Sequence, residues 1–330
     1  MSDAGSATVA GLDIGSNTVR LLLARVAGRE LHQLLRLQGI TRLGGGFDPD
    51  VGLSPAAIER TVVCLEQIRT ELDTEKLPPH VALATSAVRR AANAGQFIDQ
   101  VLRRTGFILE VIDGALEAQL TARGVRSNLS PVEPFWLIDV GGGSTELGLW
   151  GSDEGRARSV ELGCISLLDA ELHDDPPSRA QLESAAQAAG RAMAQIVREL
   201  NGEHDAAGGA LVAVAGTPTT LAAMELGLRE YRAELVHGSS LSRGSLLRLL
   251  DLLASMNAEQ RSMLPGMEHG REDLIIPGIL LLLGALDALG LDQLTVSDAG
   301  LLEGAALLAA DRRFGVDQRR FVTGGRLTIL

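Results

Sequence analysis

Asp13-Ile14-Gly15-Ser16-Asn17-Thr18 ends one apolar run, Thr8 to Leu12, and opens another, Thr18 to Val26. After 126 residues the pattern returns as Asp139-Val140-Gly141-Gly142-Gly143-Ser144-Thr145-Glu146, entered through Phe135-Trp136-Leu137-Ile138 and left through Glu146 to Trp150. Each copy reads as strand, aspartate, glycine turn, hydroxyl residue, strand. The glycine counts differ, so the repeat is structural rather than a sequence tandem. It predicts two related halves facing each other. In the second strand of the first copy, Val19, Leu21 and Leu23 alternate with Arg20, Leu22 and Ala24. Both faces are largely apolar, which predicts a strand inside a larger sheet.

A glycine turn lets backbone N–H groups converge on one anion without obstruction by Cβ atoms, and Ser and Thr hydroxyls add donors. An aspartate at each strand tip can hold a divalent cation or its waters. Two such hairpins across a cleft would grip a phosphate chain from both sides. Ordinary hairpins use the same residue types, so the second copy carries the functional reading. A third junction, Gly216-Thr217-Pro218-Thr219-Thr220, follows a predicted strand at Ala210 to Ala215. It opens a helix whose N-terminus offers free N–H groups, although threonine is also a common cap.

Three charged residues stand near these turns. Glu117 lies at the start of a predicted helix after Asp113-Gly114. A carboxylate there either complements the helix dipole or acts as a general base on a water. Arg89, in Thr85-Ser86-Ala87-Val88-Arg89-Arg90, follows a strand and enters a loop; it suits bidentate phosphate binding, with a solvated surface arginine as the plain alternative. Arg20 on a buried strand needs an anionic partner or a position in a cleft.

Between the two copies the periodicity predicts a strand at Leu34 to Arg42 and a helix capped by Ser54, with Pro55 first, running to about Asp73. Strands follow at His80 to Thr85 and Phe107 to Ile112, and helices at Asn93 to Arg104 and Leu116 to Val125. Ser127 to Pro134, with two prolines, is the candidate hinge. The second half predicts helices at Arg179 to Leu200, Ser245 to Ser255 and Ile275 to Ala288. A last strand at Gln293 to Ser297 precedes the helix Leu301 to Arg312 and a basic tail.

Composition narrows the chemistry. The 330 residues suggest two domains. With 45% hydrophobic and 22% charged residues the chain can bury sizeable cores, which excludes disordered, collagenous and disulfide-framework proteins. The net charge of −12 repels nucleic acid and anionic membranes. An anionic substrate therefore needs a local device, most simply a metal ion. Of the 30 basic residues 29 are arginine, and the single lysine, Lys76, sits in a predicted helix exit, Glu75-Lys76-Leu77-Pro78-Pro79. That excludes a P-loop, a Schiff-base lysine and a kinase strand lysine. Cys64 and Cys164 are distant from each other, form no metal spacing, and read as small core residues in a reducing cytosol. The histidines show no metal spacing either, and His237 reads as a surface loop residue. The first residues lack a basic, signal-like region. The thirteen-residue apolar stretch Leu274 to Leu286 contains Pro277 and is too short to span a bilayer. It is apolar enough for a core or a subunit seam, so a homodimer is expected.

In order and spacing, these segments resemble the exopolyphosphatase/guanosine pentaphosphate phosphohydrolase (Ppx/GppA) family. The resemblance runs almost end to end. It covers both hairpins, Ile40-Thr41-Arg42-Leu43-Gly44 to Leu53-Ser54, Ala84 to Arg89, and Asp113-Gly114-Ala115-Leu116-Glu117-Ala118. It continues through Gly216 to Ala222, Arg271-Glu272-Asp273 with Pro277-Gly278, and Ser297-Asp298-Ala299-Gly300-Leu301-Leu302-Glu303-Gly304. It implies an α/β fold of two ribonuclease-H-like domains of the actin/sugar-kinase/Hsp70 superfold, with an interdomain active-site cleft. The implied boundaries are residues 1–126 with 305–330 for the first domain and 127–304 for the second.

The same resemblance implies that Glu117 is the catalytic base, and that Asp139, Glu146 and Asp13 organise metal. Ser16, Asn17 and Thr18 would form one phosphate loop, Gly141, Gly142, Gly143, Ser144 and Thr145 the other. Arg89, Gly216 and Thr217 would be further phosphate contacts. The expected activity is Mg²⁺-dependent (or Mn²⁺-dependent) release of orthophosphate from inorganic polyphosphate by a cytoplasmic enzyme with no nucleic-acid or membrane partner. The alternative within the family is removal of the 5′ γ-phosphate of guanosine pentaphosphate. Outside it stand a phosphotransferase and a non-catalytic polyphosphate or alarmone sensor. The chain departs from the family pattern in lacking the first glutamate of Ser-Gly-x-Glu-Glu-Ala and in placing Pro218 within Gly-Thr-Ala-Thr-Thr. Long members carry a further helical C-terminal region, so processive action on very long chains is not expected here.

Overall fold

A computed structural model describes residues 6–28, 30–48, 50–72, 77–151, 155–201, 209–315 and 327–328. Asp73, Lys76, the first five residues and most of the basic tail lie outside the described residues. The chain divides into two compact units, Met1–Asn128 with Ala299–Leu330, and Leu129–Asp298.

Unit 1 begins with an antiparallel meander, β1 (Ser6–Ile14), β2 (Thr18–Ala27) and β3 (Glu30–Ile40). Helix α1 (Pro55–Glu71) starts at Ser54, whose hydroxyl accepts the Ala57 N–H, and buries Ile58, Val62, Leu65 and Ile68 along one face. Then come β4 (His80–Ala84), the short α2 (Ser86–Arg90), α3 (Ala94–Thr105), β5 (Leu109–Ile112) and α4 (Gly114–Asn128).

Unit 2 repeats the plan. Its meander is β6 (Phe135–Val140), β7 (Thr145–Trp150) and β8 (Gly155–Val160). Helices α5 (Cys164–Glu171) and α6 (Arg179–Asn201) precede β9 (Leu211–Val214). Five further helices and a short strand follow: α7 (Gly216–Glu225), α8 (Ala233–Val236), β10 (Ser240–Ser242), α9 (Arg243–Ala254), α10 (Ala258–Ser262) and α11 (Ile275–Leu289). Strand β11 (Gln293–Val296) completes the unit. Helix α12 (Leu301–Phe314) and β12 (Leu327–Thr328) belong to unit 1.

The sheets run β12-β5-β4-β1-β2-β3 and β10-β11-β9-β6-β7-β8. In each, the hairpin strand pairs antiparallel with its successor on one side and parallel with a later strand on the other. This is the ribonuclease-H-like order, made twice, and the chain has the two-domain actin-like α/β fold. The registers match residue for residue: Asp13 faces Arg20 and Ile14 faces Val19 in the first hairpin, Asp139 faces Glu146 and Val140 faces Thr145 in the second.

The expected boundary at 304/305 moves to 298/299 because α12 is wholly part of unit 1. A Cβ on Gly304 would lie 2.1 Å from the Leu120 carbonyl oxygen, and one on Gly11 2.6 Å from that of Leu302. Only glycine lets these backbones approach so closely. The apolar α11 is core and not a subunit seam: residues 275–286 are all buried within unit 2. Among the described residues no helix is long and apolar enough to cross a membrane.

Candidate active site

In unit 1 the parallel strands β1, β4 and β5 end side by side, where ligands of α/β sheets bind. Their C-terminal ends deliver the Gly15 turn, α2 and α4. The turn is closed by Gly15 N–H donating to the Thr18 carbonyl at 3.0 Å. Its other carbonyls are taken from behind. Ser16 C=O accepts from Gly44 N–H at 2.7 Å, and Asn17 C=O from Thr41 and Arg42 N–H at 3.0 and 2.9 Å. Among the described residues no carbonyl accepts from the N–H groups of Ser16 and Asn17. Ser16, Asn17 and Thr18 are themselves buried, and among the described residues the Asn17 Oδ1 atom has no hydrogen-bond partner.

Unit 2 builds the same device. Gly141 N–H donates to Ser144 C=O at 3.0 Å, while Gly141 and Gly142 C=O accept from Cys164 and Ile165 N–H at 2.9 and 2.8 Å. The first turn of α5 thus holds the glycine carbonyls, and no carbonyl among the described residues accepts from Gly142 or Gly143 N–H. A side chain at Gly163 would strike this seam, 2.6 Å from the Gly141 oxygen. Carbonyls pinned inward and consecutive amides left over make a concavity of donors, which attracts anions.

Glu117 sits in the first turn of α4, which Asp113 caps by accepting the Leu116 N–H at 2.8 Å. Arg89 reaches it: one guanidinium nitrogen donates to the Ile112 carbonyl at 2.9 Å and lies 3.4 Å from Glu117 Oε2. Arg89 is carried by the helix α2 and not by the expected loop, because Thr85-Ser86 turns directly into a helical segment at the end of β4. Asp13 is buried and ion-paired with Arg20, whose Nη2 and Nε lie 2.6 and 3.2 Å from Oδ2. Arg20 has the anionic partner its strand position demanded.

At the matching positions of unit 2, two carboxylates face each other. Like charges directly across a strand pair repel, so Asp139 and Glu146 form a pair that a cation would stabilise. Glu146 is buried, and Ser159 on β8 donates its hydroxyl to Glu146 Oε1 at 2.6 Å. Oxygen ligands, one or two of them carboxylates, are what Mg²⁺ takes when it keeps most of its waters. Among the described residues no group of three or more Asp, Glu, His or Cys could hold a metal ion.

Two of the expected contacts have their hydroxyls engaged within unit 2. Thr145 is fully buried and donates its hydroxyl to Leu162 C=O at 2.6 Å, tying the turn to the strand's exit. Thr217 is buried with its hydroxyl 3.5 Å from Cys164 Sγ, pressed by Gly278. Burial pushes the Cys164 thiol up to about 11. Gly216 begins α7, and Ala215 before it has φ +77° and ψ −173°. That region is nearly closed to side chains and costs about 1–3 kcal/mol, strain typical of functional sites. A Cβ on Gly216 would overlap the Arg271 guanidinium, 1.9 Å from Cζ, so that cation lies directly on the helix start.

Arg271 and Ser159 received no role from the sequence. Arg271 belonged to a charged triplet before an apolar run, a weak signal. Ser159 becomes meaningful only through the β7–β8 register, in which it faces Glu146. His237 is half-buried, and its Nδ1 accepts the Asp298 N–H at 3.2 Å.

Donor-lined turns at the ends of parallel strands, a buried glutamate beside an arginine, and a facing pair of carboxylates define a phosphate-handling enzyme. The profile of the Ppx/GppA phosphatase family matches residues 22–312, and the chain belongs to that family. It is 34% identical over 316 residues to Exopolyphosphatase 2 of Mycobacterium tuberculosis, covering 92% of this chain and 98% of that protein. It is 27% identical over 296 residues to the guanosine-5′-triphosphate,3′-diphosphate pyrophosphatase of Aeromonas hydrophila, covering 89% of this chain and 58% of that longer protein. The crystal structure of the Aquifex aeolicus family member superposes with a TM-score of 0.77 at 29% identity, covering 94% and 99% of the two chains. An exopolyphosphatase from Cytophaga hutchinsonii gives 0.82 at 27%, covering 92% and 98%.

Proposed function

We propose that this protein is an exopolyphosphatase that hydrolyses the terminal phosphoanhydride of inorganic polyphosphate and releases orthophosphate. The observation that carries this is the pair of turns whose carbonyls are bound from behind and whose successive N–H groups donate to no carbonyl among the described residues, which leaves them for an anion. Water attacks the terminal phosphorus; its proton passes to Glu117, and the bridging oxygen leaves with the shortened chain. Arg89 holds Glu117 and can share a phosphate oxygen. Arg271, stacked on the start of α7, adds positive charge to a helix N-terminus that already favours anions. Thr145 and Thr217 support these elements from within.

Asp139 and Glu146, with Ser159 behind Glu146, would hold Mg²⁺, or Mn²⁺ in its place. When bound, the ion neutralises non-bridging phosphate oxygens and offsets locally the −12 charge of the chain. Asp13, already paired with Arg20, is the weaker candidate ligand. Polyphosphate is preferred over guanosine pentaphosphate because both tryptophans, Trp136 and Trp150, are buried in strand packing and offer no shelf for a base. The free thiols support a reducing, cytoplasmic compartment.

The test is orthophosphate release from short polyphosphate, long polyphosphate and guanosine pentaphosphate, with Mg²⁺, Mn²⁺ or EDTA. Glu117→Gln should lose about 10²–10⁴ in kcat with the fold intact. Full turnover of this variant removes Glu117 from the mechanism; full activity in EDTA removes the metal; hydrolysis of the nucleotide alone reassigns the substrate.

A further inference from the structure

Among the described residues Arg261 is the one arginine that is buried, with 3% of its surface exposed. It lies in unit 2, at the end of the short helix α10. Its guanidinium engages three partners in fixed directions. Nε donates to the Met256 carbonyl at 3.1 Å, Nη1 to the Glu272 carbonyl at 2.6 Å, and Nη2 pairs with the Asp175 carboxylate. The second oxygen of Asp175 accepts the Ala258 N–H at 2.7 Å and so holds the start of α10. One planar fork thus ties both ends of the segment 256–272 to each other and to Asp175.

The far end of that segment carries Arg271. Its neighbours leave its backbone no freedom: Arg271 N–H donates to Glu268 C=O, and Arg271 C=O accepts from Leu274 and Ile275 N–H at 2.9 and 3.0 Å. Glu272 Oε2 accepts from Gly270 N–H at 2.6 Å, which closes the turn just before it. The Arg271 side chain, braced at Nε by Glu268, then lies over Gly216. Burying a guanidinium is a costly way to fill space, and an apolar side chain would pack as well. What an apolar side chain cannot do is hold two carbonyls and a carboxylate in one plane.

We propose that Arg261, with Asp175, is a positioning residue that sets the 271–272 peptide and thereby places the Arg271 guanidinium at the start of α7 for a substrate phosphate. The inference rests on the reading of Arg271 as a phosphate contact. Arg261 touches no substrate itself.

The experiment is a double-mutant cycle on the full chain with Mg²⁺ and inorganic tripolyphosphate, measuring KM, kcat and Tm. Arg271→Ala should raise KM about 10- to 100-fold, the loss of one charge-assisted contact. Arg261→Lys keeps the charge but not the fork, and should raise KM about 5- to 10-fold with kcat within about twofold. In the Arg271→Ala background the same change should move KM by less than about twofold, since coupled residues are non-additive. Asp175→Asn, at a half-exposed position, should repeat the pattern more weakly and serves if Arg261→Lys does not fold.

Equal effects of Arg261→Lys in both backgrounds, or a lower Tm with unchanged KM, overturn the positioning role. An unchanged KM in Arg271→Ala instead overturns the reading of Arg271, and the positioning role falls with it.

Discussion

Cys164 and Thr217 pack against each other below the Gly141 turn, and the thiol is held as a thiol by burial. With its titration moved from 9.0 to about 11, about one part in a thousand is thiolate at pH 8. Alkylating reagents should therefore leave Cys164 unmodified in the native protein and modify it in urea. The unfolded chain releases this proton near 9 and the native one near 11, so the unfolded state binds fewer protons between those values. Stability should fall as pH rises through that window and be unaffected below it, by about 2 kcal/mol at the upper end. Urea midpoints of wild type and Cys164→Ala at pH 8 and 10.5 check this; an equal slope in both proteins refutes it. At this scale the sequence indicated much of the candidate site: Asp13, Asp139 and both turns stood out by their repeat, while Glu117 took its role from the family resemblance. The partners of those residues did not stand out. That the Thr145 and Thr217 hydroxyls bond Leu162 and Cys164, and that Ser159 serves Glu146, depends on neighbours supplied by other strands and helices.

The two hairpins and the helices that follow them were legible because buried strands and amphipathic helices carry a strong period. Strand β8, Gly155–Val160, was not, since its Gly-Arg-Ala-Arg-Ser-Val sequence has no apolar alternation and only its pairing with β7 makes it a strand. The five-residue helix α2 was lost for a related reason: it is shorter than two turns and shows no periodicity. Helix α12 shows a different kind of constraint. It meets α4 where a Cβ on Gly304 would sit 2.1 Å from Leu120 C=O and one on Gly124 1.8 Å from Gly300 C=O. Gly304→Ala should destabilise unit 1 by about 3 kcal/mol or more. Calorimetry should then show its transition lowered by roughly 6–12 °C. An unchanged transition would mean the helices slide apart at no cost.

For the molecule as a whole, the cores are separate by unit. One cluster draws only on Leu129–Asp298; two others, on the two faces of the unit 1 sheet, include eight residues of α12 in one of them, Leu301, Leu302 and Ala305 to Ala310. A chain ending at Asp298 should therefore expose one face of the unit 1 sheet and leave the unit 2 core intact. Limited proteolysis of that truncated chain should digest residues 6–128 and protect 129–298; protection of both halves would show that α12 is dispensable. The ion pairs Glu110–Arg312, Glu303–Arg36 and Asp311–Arg123 fix the orientation of α12 more than they add stability, since taking a carboxylate out of water offsets much of what its pairing gains.

By itself the sequence determined the repeat of strand, aspartate and glycine turn, hence two sheets of one plan, and with it the class of chemistry. Those properties reside in local periodicity and in residues whose backbone freedom is needed wherever the chain places them. Only the tertiary structure decided that Asp13 is neutralised by Arg20 while its counterpart Asp139 faces Glu146, because opposition across a hairpin depends on register. It also decided that α11 is core and that Arg271 lies on Gly216 under the hold of Arg261. Contacts between residues tens of positions apart are set by packing, and no local pattern encodes them.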